Sequence, residues 1–305
     1  MKISKMGSAV AAAALSLGFV SAASAYSITA GDYVFLLQNY DSGTTGYGNT
    51  IGQKCGSAGS VAANIMQCDN VPGITVAPGS TGSVNSSADT LGIFSIESIT
   101  NITTNSVIFQ RASGNYITGV FGNIADYKVA VTDDGFGVLS TTTLGTGGKF
   151  AMYRNTSDYD PSLGPGVTAS KDLNALKYPG ISDTGSLFLS GVFSAGSRAG
   201  DFDTSYTSTY NNASFAGHGQ SFLDVTGGSA YSNFNTDKLT DANGNKHDMF
   251  LDVTYNDVNG AASSIGWSVT SAGQIKGNAI PEPGVLALVS LALLGLGLTS
   301  RRRNS

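Results

Sequence analysis

The chain is poor in the residues that metal and redox chemistry use. Its 305 residues include two histidines, two cysteines and one tryptophan. A zinc site needs three or four converging nitrogen or sulfur ligands. His218 and His247 show no His-x-x-x-His spacing, so neither a metal nor a cofactor is expected. Serine and aspartate are plentiful, yet there is no Gly-x-Ser-x-Gly elbow and no Ser-His-Asp pattern, so no catalytic set is assigned and the chain reads as a non-enzyme. Charged residues make up only 12%. Residues 26 to 280 hold 19 Asp and 1 Glu against 8 Lys and 3 Arg, a balance of 11 − 20 = −9. An acidic body without Lys/Arg clusters excludes nucleic acid as a partner, because phosphate binding needs concentrated positive charge.

Apolar runs gather at the two ends. At the start, Lys2 and Lys5 precede an apolar run from Ala9 to Val20 and the small-residue triplet Ala23, Ser24, Ala25. This is the layout of a secretory signal helix, with cleavage by signal peptidase expected after Ala25. In an exported chain, Cys55 and Cys68 are expected to form one disulfide. Twelve residues lie between them, a loop whose closure would stabilise by about 3 kcal/mol. At the other end, Pro281, Glu282 and Pro283 precede an apolar segment from Val285 to Leu298 and then Arg301, Arg302 and Arg303. Fourteen helical residues rise about 21 Å, short of the roughly 30 Å hydrocarbon core. The arginines hold that end on the cytoplasmic side, and the prolines keep the preceding segment extended. A permanent span by this C-terminal hydrophobic helix is therefore disfavoured, with a plain C-terminal membrane anchor as the alternative.

What fills the space between is β-like. Eleven runs of β-branched and aromatic residues recur between Gly, Asn, Asp and Ser, among them DYVFLLQNY (32–40), LGIFSIESIT (91–100), YKVAVTD (127–133), SLFLSGVF (186–193) and DMFLDVTYND (248–257). Several alternate with period two. An all-β ectodomain is expected, a single β-sandwich or jelly roll, with a tight hairpin at Asp134-Gly135. One short helix is expected over Ala169–Lys177, where Leu173 and Leu176 share a face. Residues 39–90 are poor in strand signals and rich in Gly, Ser, Thr and Ala, and read as a disulfide-stapled excursion over about 41–90. The organisation is then a signal peptide (1–25), an ectodomain (26–278) and a tail (279–305).

Candidate chemistry in the body is sparse. Asp241, Asn243 and Asn245 alternate like a calcium loop, but Lys246 stands where an EF-hand needs glycine, so a turn is expected. A glycosidase would need two facing carboxyls. The pairs Asp133/Asp134, Asp158/Asp160 and Asp201/Asp203 all stand in turn-like settings. Trp267 is expected to be buried; exposed beside Tyr255 it would suggest a sugar-stacking surface.

The C-terminal residues carry a resemblance. Pro281-Glu282-Pro283, the apolar segment and the three arginines together resemble the PEP-CTERM sorting signal of Gram-negative bacteria. The resemblance implies recognition by an exosortase-type membrane transpeptidase that removes the hydrophobic part during export. It also implies a cell-surface or matrix location in bacteria that make exopolysaccharide, a possible partner. The runs LFLSG and GGSAYSNFNTD make the body similar to PEP-CTERM proteins linked to flocculation. The resulting expectation is a structural or adhesive role in floc or biofilm. A carbohydrate- or cation-binding module is the alternative, and a secreted hydrolase a third reading.

Overall fold

The computed structural model describes residues 32–44, 79–136, 138–211, 214, 216–257, 265–267 and 269–279. Ala25, Cys55, Cys68, Pro281, Glu282, Pro283, Arg301, Arg302 and Arg303, with both expected terminal helices, lie outside the described residues. Among the described residues no helix is long and apolar enough to cross a membrane.

The fold is all-β, as the alternation predicts. Its main strands are β1 (Tyr33–Thr44), β2 (Thr81–Asn101), β3 (Ser106–Gln110), β4 (Tyr116–Asp133), β5 (Leu139–Asn155), β6 (Ser186–Ser194), β7 (Tyr206–Asn211), β8 (Ala216–Gly227), β11 (Met249–Asp257) and β12 (Val269–Gly277). A small hairpin, β9 (Leu239–Thr240) with β10 (Lys246–His247), lies between β8 and β11. The expected sandwich is corrected. Each long strand pairs antiparallel with its neighbours, and β1 pairs with both β2 and β12, so the sheet closes into an eight-stranded barrel. Successive strands can meander around a ring with short turns, and closure leaves few unpaired edges. Strands β6 and β7 share one position, each pairing with β5 on one side and β8 on the other.

The excursion is shorter than 41–90, because β1 runs on to Thr44 and β2 starts at Thr81. The first half of β2 is held by pairing with β4, from Thr81 opposite Thr132 onward; a partner strand makes up for a sequence with few β-formers. The Asp134-Gly135 hairpin forms between β4 and β5. The Asp133 carboxylate accepts from the Gly135 N–H at 2.7 Å, and Gly135 has φ of 84°.

The helix expected over 169–177 is not formed. Asp172 and Lys177 exchange backbone hydrogen bonds of 2.8 and 2.9 Å, and Leu176 has φ of 56°. The Asp172 side chain accepts from the Ala175 N–H at 3.0 Å, an alternative to helix that aspartate favours. The short helix is instead α1 (Tyr231–Phe234), whose Phe234 ring meets Phe35 edge-on at 5.2 Å and Tyr33 at 5.9 Å. This plugs the barrel end at which β1 begins and β12 finishes.

Inward side chains fill the barrel, as eight strands leave room for little else. Phe35, Leu37, Phe94, Ile96, Phe150, Met152, Leu223, Val253 and Ile275 belong to one buried cluster. Gly119 is part of that packing, since a Cβ there would stand 2.2 Å from the Phe94 ring. A second cluster lies on the outer face, where Leu173, Tyr178 and Ile181 of the segment between β5 and β6 cover Leu91, Ile93, Val120 and Trp267.

Candidate functional sites

The alternation that buries Phe35 and Leu37 continues to Asn39 and Asp41 on the same face of β1. The barrel interior therefore turns polar toward its second end. Asp41, Asp126, Tyr206 and Tyr255 are all buried there. Thr90 donates to Asp126 at 2.7 Å. The Tyr255 hydroxyl donates to the Thr209 carbonyl at 2.7 Å and accepts from Ser208 at 2.5 Å. Ser271 donates to Asn39, whose amide donates to Asp41 at 3.5 Å. Burial, then Tyr255 and the charges of Asp41 and Asp126, pushes the Tyr206 phenol well up. Burial likewise raises Tyr255, against its bond to Ser208 and with help from both carboxylates. A cavity of about 40 Å³ between the apolar and polar halves touches Asn39, Asp41 and Tyr206. That suits a few water molecules and is far below the roughly 300 Å³ of a small-molecule pocket. The cavity beside Asp41 is thus too small to hold a sugar. The sequence reading did not identify this constellation, although following the β1 alternation past Leu37 would have reached it.

The two histidines part company. His218 is partly exposed on β8 and faces Asp252 across the sheet at 2.5 Å. His247 is buried and stacked on Phe222 at 4.6 Å. Its Nδ1 faces the Asp224 carboxylate at 3.0 and 3.1 Å, and its Nε2 faces Asp241 at 3.4 Å. Burial works against the charged ring, but the hydrogen bond and charge of Asp224, then those of Asp241, hold its pKa above the ordinary value. Burial also opposes the charge of Asp224 and Asp241. Hydrogen bonds from His247 and Ser194 to Asp224, and from Asn245 and His247 to Asp241, nevertheless keep both carboxyls below their usual range. Both ring nitrogens of His247 thus face carboxylates. Ser194 donates to Asp224 at 2.6 Å, so its proton is directed at the carboxylate.

The suspected calcium loop is a turn, as expected. Asp241 accepts from the Asn243 and Asn245 N–H groups at 2.8 and 2.7 Å within the β9–β10 hairpin. The acid pairs are engaged in similar ways. Asp134 accepts from Phe136 N–H at 2.7 Å, Asp160 from Ser162 N–H at 2.9 Å, and Asp201 from Thr204 N–H at 2.9 Å. Asp158 pairs with Arg111, and Asp203 donates its N–H to Asp201 at 3.1 Å. Trp267 is buried as expected. Its indole N–H donates to the Pro161 carbonyl at 2.6 Å, with Tyr40 at 6.0 Å and Tyr178 at 6.4 Å.

Each barrel end is concave. Where β1 starts, a groove of about 560 Å³ lies between β3 and α1 and is lined by Ile108, Arg154, Phe188, Asn233, Phe234 and Ala279 among others. The opposite end carries a hollow of about 1020 Å³ lined by the hydroxyl and amide residues Thr81, Thr132, Ser140, Thr142 and Asn211 among others, and also by Asp133, Asp134 and His218. Comparison with known protein families, curated proteins and solved structures returns no match for the chain.

Proposed function

We propose that the chain is an exported cell-surface or matrix protein without enzymatic activity. Signal peptidase removes its leader after Ala25, and an exosortase-type transpeptidase acts at the tail marked by Pro281, Glu282 and Pro283. The barrel is then a stable acidic body that contributes to exopolysaccharide-associated aggregation. The observation that supports this most is the placement of the two chain exits. Tyr33 of β1 lies opposite Gly277 of β12, so the described barrel begins and finishes at one end. A body held at a membrane by its tail would then present its other end outward.

Replacing Pro281, Glu282 and Pro283 with alanines is expected to leave the full-length polypeptide in the inner-membrane fraction. Arrival at the surface with the tail trimmed at the wild-type rate would contradict the proposal. A second reading, a carbohydrate-binding module, is favoured by the hydroxyl-lined hollow at the end opposite the exits. Saturable binding of a neutral oligosaccharide that weakens with Thr142→Val would support it.

A further inference from the structure

The hollow at the end away from Tyr33 and Gly277 is bounded by the start of β2, the β4–β5 hairpin, the end of β7 and the start of β8. Four of its lining residues form one row across adjacent strands. Thr81 of β2 stands opposite Thr132 of β4, Thr132 opposite Ser140 of β5, and Ser140 opposite Asn211 of β7. The Thr81 and Thr132 hydroxyls share a bond of 2.7 Å, and the Asn211 amide donates to Ser140 at 3.3 Å. A hydroxyl has one donor and two acceptor sites, so a row joined in pairs keeps capacity for further hydrogen bonds. Neighbouring strands lie about 4.8 Å apart, close to the length of one pyranose unit in an extended polysaccharide. Beside this row, Thr141 is 2% exposed, lines the same hollow, and its hydroxyl meets no hydrogen-bond partner among the described residues. A buried polar group left unpaired is costly, and a ligand in the hollow would remove that cost.

The hairpin at the rim carries Phe136, which at 92% is the most exposed large apolar residue among those described. Its backbone is fixed by the turn, because the Asp134 carboxylate accepts from the N–H groups of Phe136 and Val138 at 2.7 and 3.1 Å. Asp134 itself lines the hollow with Asp133, and no Lys or Arg does. An exposed ring on a fixed turn offers a flat apolar face to the C–H groups of a sugar. Carboxylates accept from sugar hydroxyls in charge-assisted hydrogen bonds and repel uronate or sulfate groups. We infer that this end of the barrel binds an extended neutral polysaccharide, which crosses β2, β4, β5 and β7 at one hexose per strand. Phe136 stacks on a hexose at the rim, and the Thr141 hydroxyl bonds to the chain within the hollow. This rests on the carbohydrate-binding reading and adds to it the class of glycan, the direction of the chain and the number of units held.

The test is titration calorimetry of the full chain in detergent micelles with β-1,4-linked oligomers of glucose, mannose and galactose of increasing length. Saturable binding of at least one series is expected, with affinity rising up to four units and level beyond. Phe136→Ala is expected to weaken the tetramer about ten-fold, and Phe136→Tyr to bind as wild type. Thr141→Val is expected to weaken it about five-fold with a thermal midpoint no lower than wild type, which a merely unfolded variant would not show. Tetragalacturonate is expected to bind about ten-fold more weakly than the neutral tetramer. Binding that weakens with Thr142→Val but is indifferent to Phe136→Ala, to Thr141→Val or to chain length would overturn the inference and leave the carbohydrate reading standing. A preference for tetragalacturonate or for a glucosamine tetramer would overturn it in the same way. Absence of saturable binding in all three neutral series defeats both.

Discussion

His247 shows how single residues decide local stability in this protein. Its pKa is raised in the folded state, so its contribution is complete below the ordinary imidazole value of about 6.5 and is lost as pH rises through the folded value. Asp224 and Asp241 are lowered, so theirs is complete above about 3.9 and is lost as pH falls through their folded values. The cluster therefore contributes most between about pH 4 and pH 6.5. His247→Gln is expected to cost about 2 kcal/mol at pH 5.5, the scale of hydrogen bonds to charged groups. The difference from wild type should shrink by pH 9, as read from urea midpoints. A difference that is constant or grows with pH would contradict the assignment. The sequence marked His247 as one of two histidines, six residues from Asp241, but held no sign of its other partner Asp224, which comes from β8. The turn aspartates were legible, since an Asx turn is made by residues two to four positions apart.

At the scale of elements, strands were legible where period two was strong and hidden where a partner strand supplies the order. LGIFSIESIT was readable, whereas TGSVNSSADT, the first half of the same β2 strand, was not; it is strand because β4 pairs along it. The segment Ala169–Lys177 misled in the other direction. Leu173 and Leu176 fit a helix face, but one is buried in the outer cluster and the other packs beside it from a turn. The interior packing of β2 against β4 gives an element-scale prediction. Gly119→Ala would place a Cβ 2.2 Å from the Phe94 ring, and overpacking of this kind costs about 2 kcal/mol, or about 6 °C in thermal midpoint. Phe94→Leu in the same chain should recover part of that loss. An unchanged midpoint in the single variant, measured by circular dichroism, would show that the rings yield freely.

For the whole molecule, closure was the feature the sequence concealed. A sandwich and a barrel share alternation, strand length and turn chemistry, and what separates them here is the pairing of Tyr33 with Gly277 across nearly the whole body. The same pairing brings Tyr33 and Gly277, at the two ends of the described barrel, together at one end. The body's polar interior and its two concave ends needed the ring to be closed before they could be seen. Intact mass of the protein recovered from the surface fraction of a cell that exports it is the most direct measurement of the central proposal. The expected species begins at Tyr26, lacks the apolar segment and the three arginines, and is lighter by two hydrogens for the Cys55–Cys68 disulfide. A surface species that still carries Val285 to Arg303 would contradict the proposal.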